Sequence, residues 1–191
     1  MPTSDSYIIK YLSRILTFKS ATEKLEIERL FTRLKIGKKT NLFLNGDSNV
    51  NHYFIEKGLL RLYVIDSNGK DFNILFGKEW QVLGDLASPA PTLFNLEAIE
   101  DSVVYSISDE NLKRVFTEQS ARASLETIKR SYIFLQKRLV NILTKTAEEN
   151  YIEFSETYPE LNQRLPQYHI ASYLGVSAEF LSKIIARTTR T

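Results

Sequence analysis

The sequence predicts an α+β protein in which an antiparallel β-roll precedes a long helix and a small helical domain. Three observations indicate this order. Short apolar runs separated by turn residues come early, a heptad repeat follows, and two short helical segments joined by a glycine come last. We expect helices and the roll in residues 1–118, the long helix in residues 119–145 and the helical domain in residues 146–191.

The composition excludes several classes of function. The chain has 191 residues, 43% of them hydrophobic, and no cysteine. Disulfides, thiolate zinc sites and Cys-ligated iron–sulfur clusters are therefore ruled out. The two histidines, His52 and His169, lie far apart in sequence, so we predict no metal site and no cofactor. No apolar run has the length of a membrane span, and the first residues are too polar for a signal peptide, so we expect a cytoplasmic protein without membrane contact.

Motifs typical of enzymes are missing from the sequence. It shows no Ser-His-Asp set, no paired carboxylates and no glycine-rich phosphate loop, and Asn68-Gly69 is better explained as a hairpin turn. A cupin-like enzyme needs clustered His and carboxylate ligands, whereas His52 stands alone in the predicted roll. We therefore predict that the protein is not an enzyme.

The first elements follow from the spacing of apolar residues. A near-helical period over residues 4–34 predicts helix. From Ile36 the pattern changes to strand-like runs: TNLFL, HYFIEKG, LLRLYVID, DFNILFG, WQVLG and NLEAIEDSVVYSI. Turn residues between these runs favour a compact antiparallel roll. For Trp80 two interpretations stay open, a residue that lines a ligand cavity or a buried residue of the roll's core.

Heptad spacing predicts that the long helix pairs with a second copy of itself. Between residues 120 and 143, two positions of the heptad are apolar in each of three repeats. These residues, which we call the seam, are Leu125, Ile128, Tyr132, Leu135, Leu139 and Ile142. Three heptads support a two-stranded coiled coil, so we expect a homodimer. The alternative is an amphipathic helix that packs only on its own roll. Thr146 and Glu149 have the spacing of a capping box, which predicts a hinge and a new helix.

Residues 167–191 have the pattern of two short helices joined by a tight turn. Gly175 falls in the turn, where a left-handed backbone is expected. Apolar and small residues are spaced so that they would face each other where the two helices cross. They are Ile170, Ala171, Leu174, Val176, Leu181 and Ile184. Such a unit typically places its second helix in the major groove of double-stranded DNA. The net charge is only +2, but Lys183, Arg187 and Arg190 form a local basic stripe, which either contacts phosphate or is a solvated face.

Candidate DNA contacts follow from the position of the second helix. Ser177 is placed to cap this helix, whose first turns would point at base edges. We predict base contacts from Ala178, Glu179, Ser182 and Lys183. We predict phosphate contacts, with plain surface exposure as the alternative, from Gln167, Tyr168, His169 and Arg187. We predict packing roles for Phe180, Leu181, Ile184 and Ile185.

The whole layout resembles the cyclic-AMP receptor protein/fumarate-nitrate regulator (Crp/Fnr) family from about residue 25 onward. The most specific parts are HYFIEKGLLRLYVIDSNGKDFNILFGKEWQVLGDL and IASYLGVSAEFLSKI. The stretch from AEENYIEF to PQYHIASYLGV is similar to a group of such regulators common in the Bacteroidetes. The resemblance implies a cyclic-nucleotide-binding-like roll in a homodimeric transcription factor that binds a pseudo-palindromic operator and contacts RNA polymerase.

The same resemblance implies a candidate effector pocket at Gly84, Asp85, Leu86, Thr92 and Leu93. Members that bind cyclic AMP receive the ribose on a Gly-Glu-Leu turn, here Gly84-Asp85-Leu86. Their Arg-Ser pair holds the cyclic phosphate, and Thr92-Leu93 replaces it here. A buried phosphate needs a cation or several donors, so we predict that cyclic AMP is not bound in this mode, which leaves another effector or none. Asp85 either bonds a ligand hydroxyl or caps the turn that follows it.

Together these features predict a homodimeric, sequence-specific DNA-binding transcription regulator that cyclic AMP does not control. By resemblance, Glu179 and Lys183 fall where a Glu and an Arg read bases, whereas Ala178 replaces a further Arg, so we expect a different operator. Since only Arg187–Thr191 follow Ala186, we expect no β-hairpin wing. The alternative is a small-molecule sensor whose helical tail docks a protein partner, which Glu179 and the low net charge favour.

Overall fold

The computed structural model describes residues 5–85, 91–116 and 121–188. The chain divides into two compact units. The first comprises Met1–Val64 and Leu75–Thr127, and the second comprises Ile65–Ile74 and Ile128–Thr191. The division falls within the predicted long helix, and it assigns a short segment of the strand region to the second unit.

The first unit contains most of the strand residues. Helices α1 (Tyr7–Leu12) and α2 (Ala21–Glu28) precede them. The strands are β1 (Thr32–Ile36), β2 (Asn41–Phe43), β3 (His52–Lys57), β4 (Leu60–Ile65), β5 (Asp71–Gly77), β6 (Val82–Leu83), β7 (Asn95–Ala98) and β8 (Ser102–Ile107). Helix α3 (Asp109–Val115) follows, and the Ser108 hydroxyl caps it by accepting the Asn111 N–H at 3.2 Å. Each run that the sequence marked as strand-like contains a strand.

The strands form two four-stranded sheets in the orders β1-β8-β3-β6 and β2-β7-β4-β5. The pairs β1–β8, β3–β8, β3–β6, β2–β7 and β4–β7 are antiparallel. Side chains of both sheets form one buried cluster: Phe43, Tyr53, Ile55, Leu60, Leu62, Leu83, Leu96, Ala98 and Val104. The predicted antiparallel roll is confirmed, and apolar side chains fill the space between its sheets.

The prediction of helix over residues 4–34 is wrong at its C-terminal end. Strand β1 begins at Thr32, and Leu34 pairs with Val104 of β8. The apolar residues there do recur at a helical spacing, but they also suit a strand whose backbone pairs with β8. Phe31 is buried against Phe54, with ring centroids 5.5 Å apart, so tertiary packing overrides the local period.

Of the two interpretations of Trp80, a buried residue of the roll's core is wrong. Its side chain is 44% exposed, and its backbone has a φ of 66°. The ring lies 4.8 Å from that of Tyr7, centroid to centroid, and the Arg14 guanidinium lies 5.1 Å from the Trp80 ring centroid. Trp80 therefore forms the outer edge of an aromatic cluster.

Helix α4 (Ala121–Thr144) belongs to both units, and the second unit continues with α5 (Ala147–Thr157), α6 (Pro159–Arg164), α7 (Gln167–Leu174) and α8 (Ala178–Thr188). The predicted capping box is present: the Thr146 hydroxyl accepts the Glu149 N–H at 3.2 Å, and Glu149 accepts the Thr146 N–H at 2.8 Å. Gly175 has a φ of 73°, which confirms the predicted left-handed turn between α7 and α8.

His52 is the buried histidine of the first unit. It is 1% exposed, and neither ring nitrogen has a hydrogen-bond partner among the described residues. The nearest carboxylate oxygen, Asp109 Oδ1, lies 3.6 Å from Nε2. Burial lowers the pKa of His52 below the usual 6.5, and Asp109 opposes the shift.

This burial makes the stability of the protein depend on pH. As pH falls through 6.5, the unfolded chain takes up a proton on His52 that the folded chain does not, so the contribution of His52 to the free energy of unfolding decreases. Urea unfolding at pH 7.5 and pH 5.5 measures the loss. We expect a His52→Leu variant to lose less stability over this interval than the native chain, and equal losses in the two proteins would contradict the assignment.

Candidate functional site

Helix α8 carries a continuous exposed face. On one side Leu181 and Ile184 are 0% and 2% exposed and hold the helix in the second unit. The opposite side is exposed at helical spacing, at Ala178, Glu179, Ser182, Lys183, Ala186 and Arg187. The structure therefore brings the predicted base-contacting residues and Arg187 onto one side of one helix.

The start of α8 is capped as the sequence predicts. The Ser177 hydroxyl accepts the Phe180 N–H at 3.1 Å. A hydrogen bond from the backbone of Glu179 itself, together with the Ser177 hydroxyl, lowers the pKa of the Glu179 carboxyl. Glu179 is thus a hydrogen-bond acceptor at neutral pH, and Lys183 lies one helical turn beyond it as a cationic donor.

Helix α7 contributes two exposed residues and one buried residue of the predicted phosphate contacts. Gln167 is exposed, and Tyr168 is 54% exposed. His169 is only 4% exposed, and Asn73 Nδ2 donates to its carbonyl oxygen at 3.0 Å and lies 3.3 Å from its Nδ1. The structure corrects the expectation for His169, because its ring packs inside the unit and is not available to a phosphate.

The structure also corrects the packing role predicted for Phe180. Leu181 and Ile184 are buried as expected, whereas the Phe180 side chain is 47% exposed. At helical spacing Phe180 precedes Lys183 and Arg187 by three and seven residues, so the three lie along one flank of the exposed face. Sequence reasoning missed Phe180 because an aromatic residue beside Leu181 fits an apolar contact equally well.

The candidate effector loop is only partly described, since Leu86 lies outside the described residues. The Thr92 hydroxyl, 2% exposed, donates to Asp85 Oδ2 at 2.5 Å. Leu93 is 63% exposed. A Cβ on Gly84 would lie 2.4 Å from His52 Nδ1, so only glycine fits there. A hydrogen bond thus connects Thr92 to Asp85, and neither Thr92 nor Leu93, at the position of the family's Arg-Ser pair, carries a positive charge.

A buried cation that sequence reasoning missed lies in the neighbouring strands. Arg61 of β4 is 7% exposed and pairs with Glu97 of β7, Nε to Oε2, at 2.5 Å. Its guanidinium also lies 3.9 Å from the Tyr63 ring centroid. The Glu97 carboxylate balances this charge, so Arg61 does not replace the missing phosphate-binding cation.

The predicted dimer seam is exposed along α4. The six seam residues are 46–63% exposed: Leu125, Ile128, Tyr132, Leu135, Leu139 and Ile142. Ile133, Val140 and Leu143 of the same helix are exposed as well. Phe134, Arg138 and Asn141, on a different side, are partly buried. The described residues of the chain therefore leave the seam uncovered.

Two classes of site are absent from the described part of the chain. No group of three His, Asp or Glu residues there could hold a metal ion. None of the helices in the described ranges is long and apolar enough to cross a membrane.

Comparison with known sequences identifies the roll. Residues 33–119 match the family model of the cyclic nucleotide-binding domain. None of the curated proteins matches the chain.

Solved structures are similar to most or all of the chain. FixK2 from Bradyrhizobium japonicum is 20% identical, with a TM-score of 0.71 over 84% of this chain and 85% of its own. A CooA variant from Carboxydothermus hydrogenoformans is 16% identical, with a TM-score of 0.73 over 100% and 86%. A regulator assigned to the crp/fnr family from Eubacterium rectale is 14% identical, with a TM-score of 0.74 over 94% and 88%. Residues 33–119 therefore match the cyclic nucleotide-binding domain, and the chain has the fold of the Crp/Fnr regulators.

Proposed function

We propose that the protein is a homodimeric transcription regulator of the Crp/Fnr type that binds specific DNA sequences through α8. The exposed face of α8 carries this proposal. This face presents an ionised carboxylate, a lysine, an arginine, a hydroxyl and two alanines, and it lies opposite the buried Leu181 and Ile184. Polar groups and small residues in this arrangement suit the edges of bases in a major groove.

Each exposed residue has a role that fits its chemistry. Glu179 accepts a hydrogen bond from a cytosine amino group, Lys183 donates to guanine or to a phosphate, and Ala178 contacts a thymine methyl group. Ser182 permits close approach. The remaining contacts are to the phosphates, from Gln167, Tyr168, Ser177 and Arg187.

The exposed apolar seam of α4 supports the dimer. Two copies paired along this seam would bury side chains that one chain leaves 46–63% exposed. In the dimer two recognition helices would lie about 34 Å apart, one turn of DNA. Such a regulator acts where the DNA is, in the cytoplasm, and the same proposal includes contact with RNA polymerase.

The effector loop supports control by something other than cyclic AMP. Thr92 is engaged with Asp85, Leu93 carries no charge, and Glu97 balances the buried Arg61. Transfer of a cyclic phosphate into this site would leave its charge without a partner.

Replacement of Lys183 tests the recognition helix. If Lys183 contacts a base, Lys183→Ala weakens binding to a selected operator by about 1–3 kcal/mol and weakens binding to random DNA much less. Fluorescence anisotropy at physiological salt measures both affinities, with Lys129→Ala on α4 as the matched control. Equal weakening on both DNAs would restrict Lys183 to a phosphate contact. A native chain that never prefers any sequence, and whose binding does not weaken as salt rises, would favour a protein-docking sensor.

A charge in the seam tests the dimer. Leu135→Asp places a carboxylate where the second helix would pack, so we expect the protein to become monomeric in sedimentation equilibrium. Arg130→Asp also adds a carboxylate to α4, but at an exposed position outside the seam, and we expect this variant to remain dimeric. A monomeric native chain would contradict the proposal.

Calorimetric titration tests the effector prediction. We expect no saturable heat from cyclic AMP at millimolar concentration, because the loop lacks a cation for the phosphate. Saturable binding that a Thr92→Ala substitution abolishes would show that the loop holds the nucleotide after all.

A further inference from the structure

A short part of the strand region is built into the second unit. We call residues 65–74 the linking segment; it begins at the last residue of β4 and includes the first part of β5. The Asp66 carboxylate accepts the N–H groups of Asn68 and Lys70, each at 2.9 Å, and Gly69 has a φ of 79°. These bonds give the linking segment a fixed turn.

The linking segment is bonded to α7 through polar groups that are buried or partly buried. Asn73, 1% exposed, donates its side-chain N–H to the His169 carbonyl at 3.0 Å. Its backbone N–H donates to the Ser172 hydroxyl at 3.0 Å, and this hydroxyl donates to the Asp71 carbonyl at 2.9 Å. Buried polar groups are costly to leave unpaired, so these bonds fix the position of the segment on α7.

Arg138 of α4 completes the attachment. Its guanidinium donates to the carbonyls of Ile74, of Asn73 at 3.0 Å and of Tyr173 at 3.0 Å. It also lies 3.9 Å from the Tyr173 ring centroid. Among the described residues no carboxylate pairs with it. Carbonyl groups and an aromatic face therefore stabilise the charge of Arg138. Because Arg138 belongs to α4, its planar guanidinium connects α4 to both the linking segment and α7.

We propose that Asn73 and Arg138 are positioning residues for the recognition helix. They fix the linking segment on α7, and α7 in turn packs on α8 through buried Ile170, Ala171, Leu181 and Ile184. The linking segment continues along the chain into strands β4 and β5 of the cyclic nucleotide-binding domain. This proposal rests on the proposed function only where it concerns DNA.

Hydrogen exchange in the absence of DNA tests the attachment itself. Asn73→Asp replaces the donating amide with a carboxylate that faces the His169 carbonyl, and Arg138→Met removes the donors while keeping an unbranched side chain. We expect amide exchange in α7 to become about tenfold faster in both variants, because local opening then costs less. Ser67→Ala, at an exposed position in the same turn, is the matched control and should exchange like the native chain.

DNA binding tests the positioning role. We expect about tenfold weaker binding to the selected operator in Asn73→Asp and Arg138→Met, with binding to random DNA changed less than twofold. Arg138→Lys should recover only part of the affinity, since an ammonium lacks the planar fork. The proposal would be overturned if amides of α7 exchanged at the native rate in both variants. It would also be overturned if the two variants lost equal affinity for the operator and for random DNA. A native chain without sequence preference would refute the proposed function, while the exchange result would still decide the attachment.

Discussion

The proposed regulator depends first on the uncovered apolar seam of α4. Six side chains at heptad spacing, including Leu125 and Ile142, are 46–63% exposed in the described chain. Burying them against another apolar surface would stabilise that contact in proportion to the apolar area removed from water. The other side of α4 already contacts its own unit through residues such as Arg138. One helix can therefore serve a dimer and the recognition unit at the same time.

The roll has the fold of the cyclic nucleotide-binding domain that it matches, without the chemistry expected of a cyclic-AMP site. Apolar side chains from both sheets fill its core, and the loop that would meet a nucleotide bonds Asp85 to Thr92. The buried Arg61 is neutralised by Glu97. Strands β4 and β5 lead directly into the linking segment, which is bonded to α7.

Much of the fold could be predicted from local patterns, because turns, caps and alternation act over a few residues. The strand runs, the capping box at Thr146 and the turn at Gly175 are all of this kind. Long-range pairing decided the rest. Leu34 lies in a strand because it pairs with β8. His169 is buried where Asn73, which is distant in sequence, donates a hydrogen bond to it. Nothing near Arg138 in the sequence signals that its donors meet three carbonyl groups.

The proposed function requires that two copies of α8 read DNA as a pair. Selection of bound sequences from a random pool tests it most directly, because both the sequence preference and the symmetry appear in one result. We expect enriched sites with two related, inverted half-sites whose centres lie about 10 base pairs apart. Enrichment of single, unsymmetrical sites, or no enrichment at physiological salt, would contradict it.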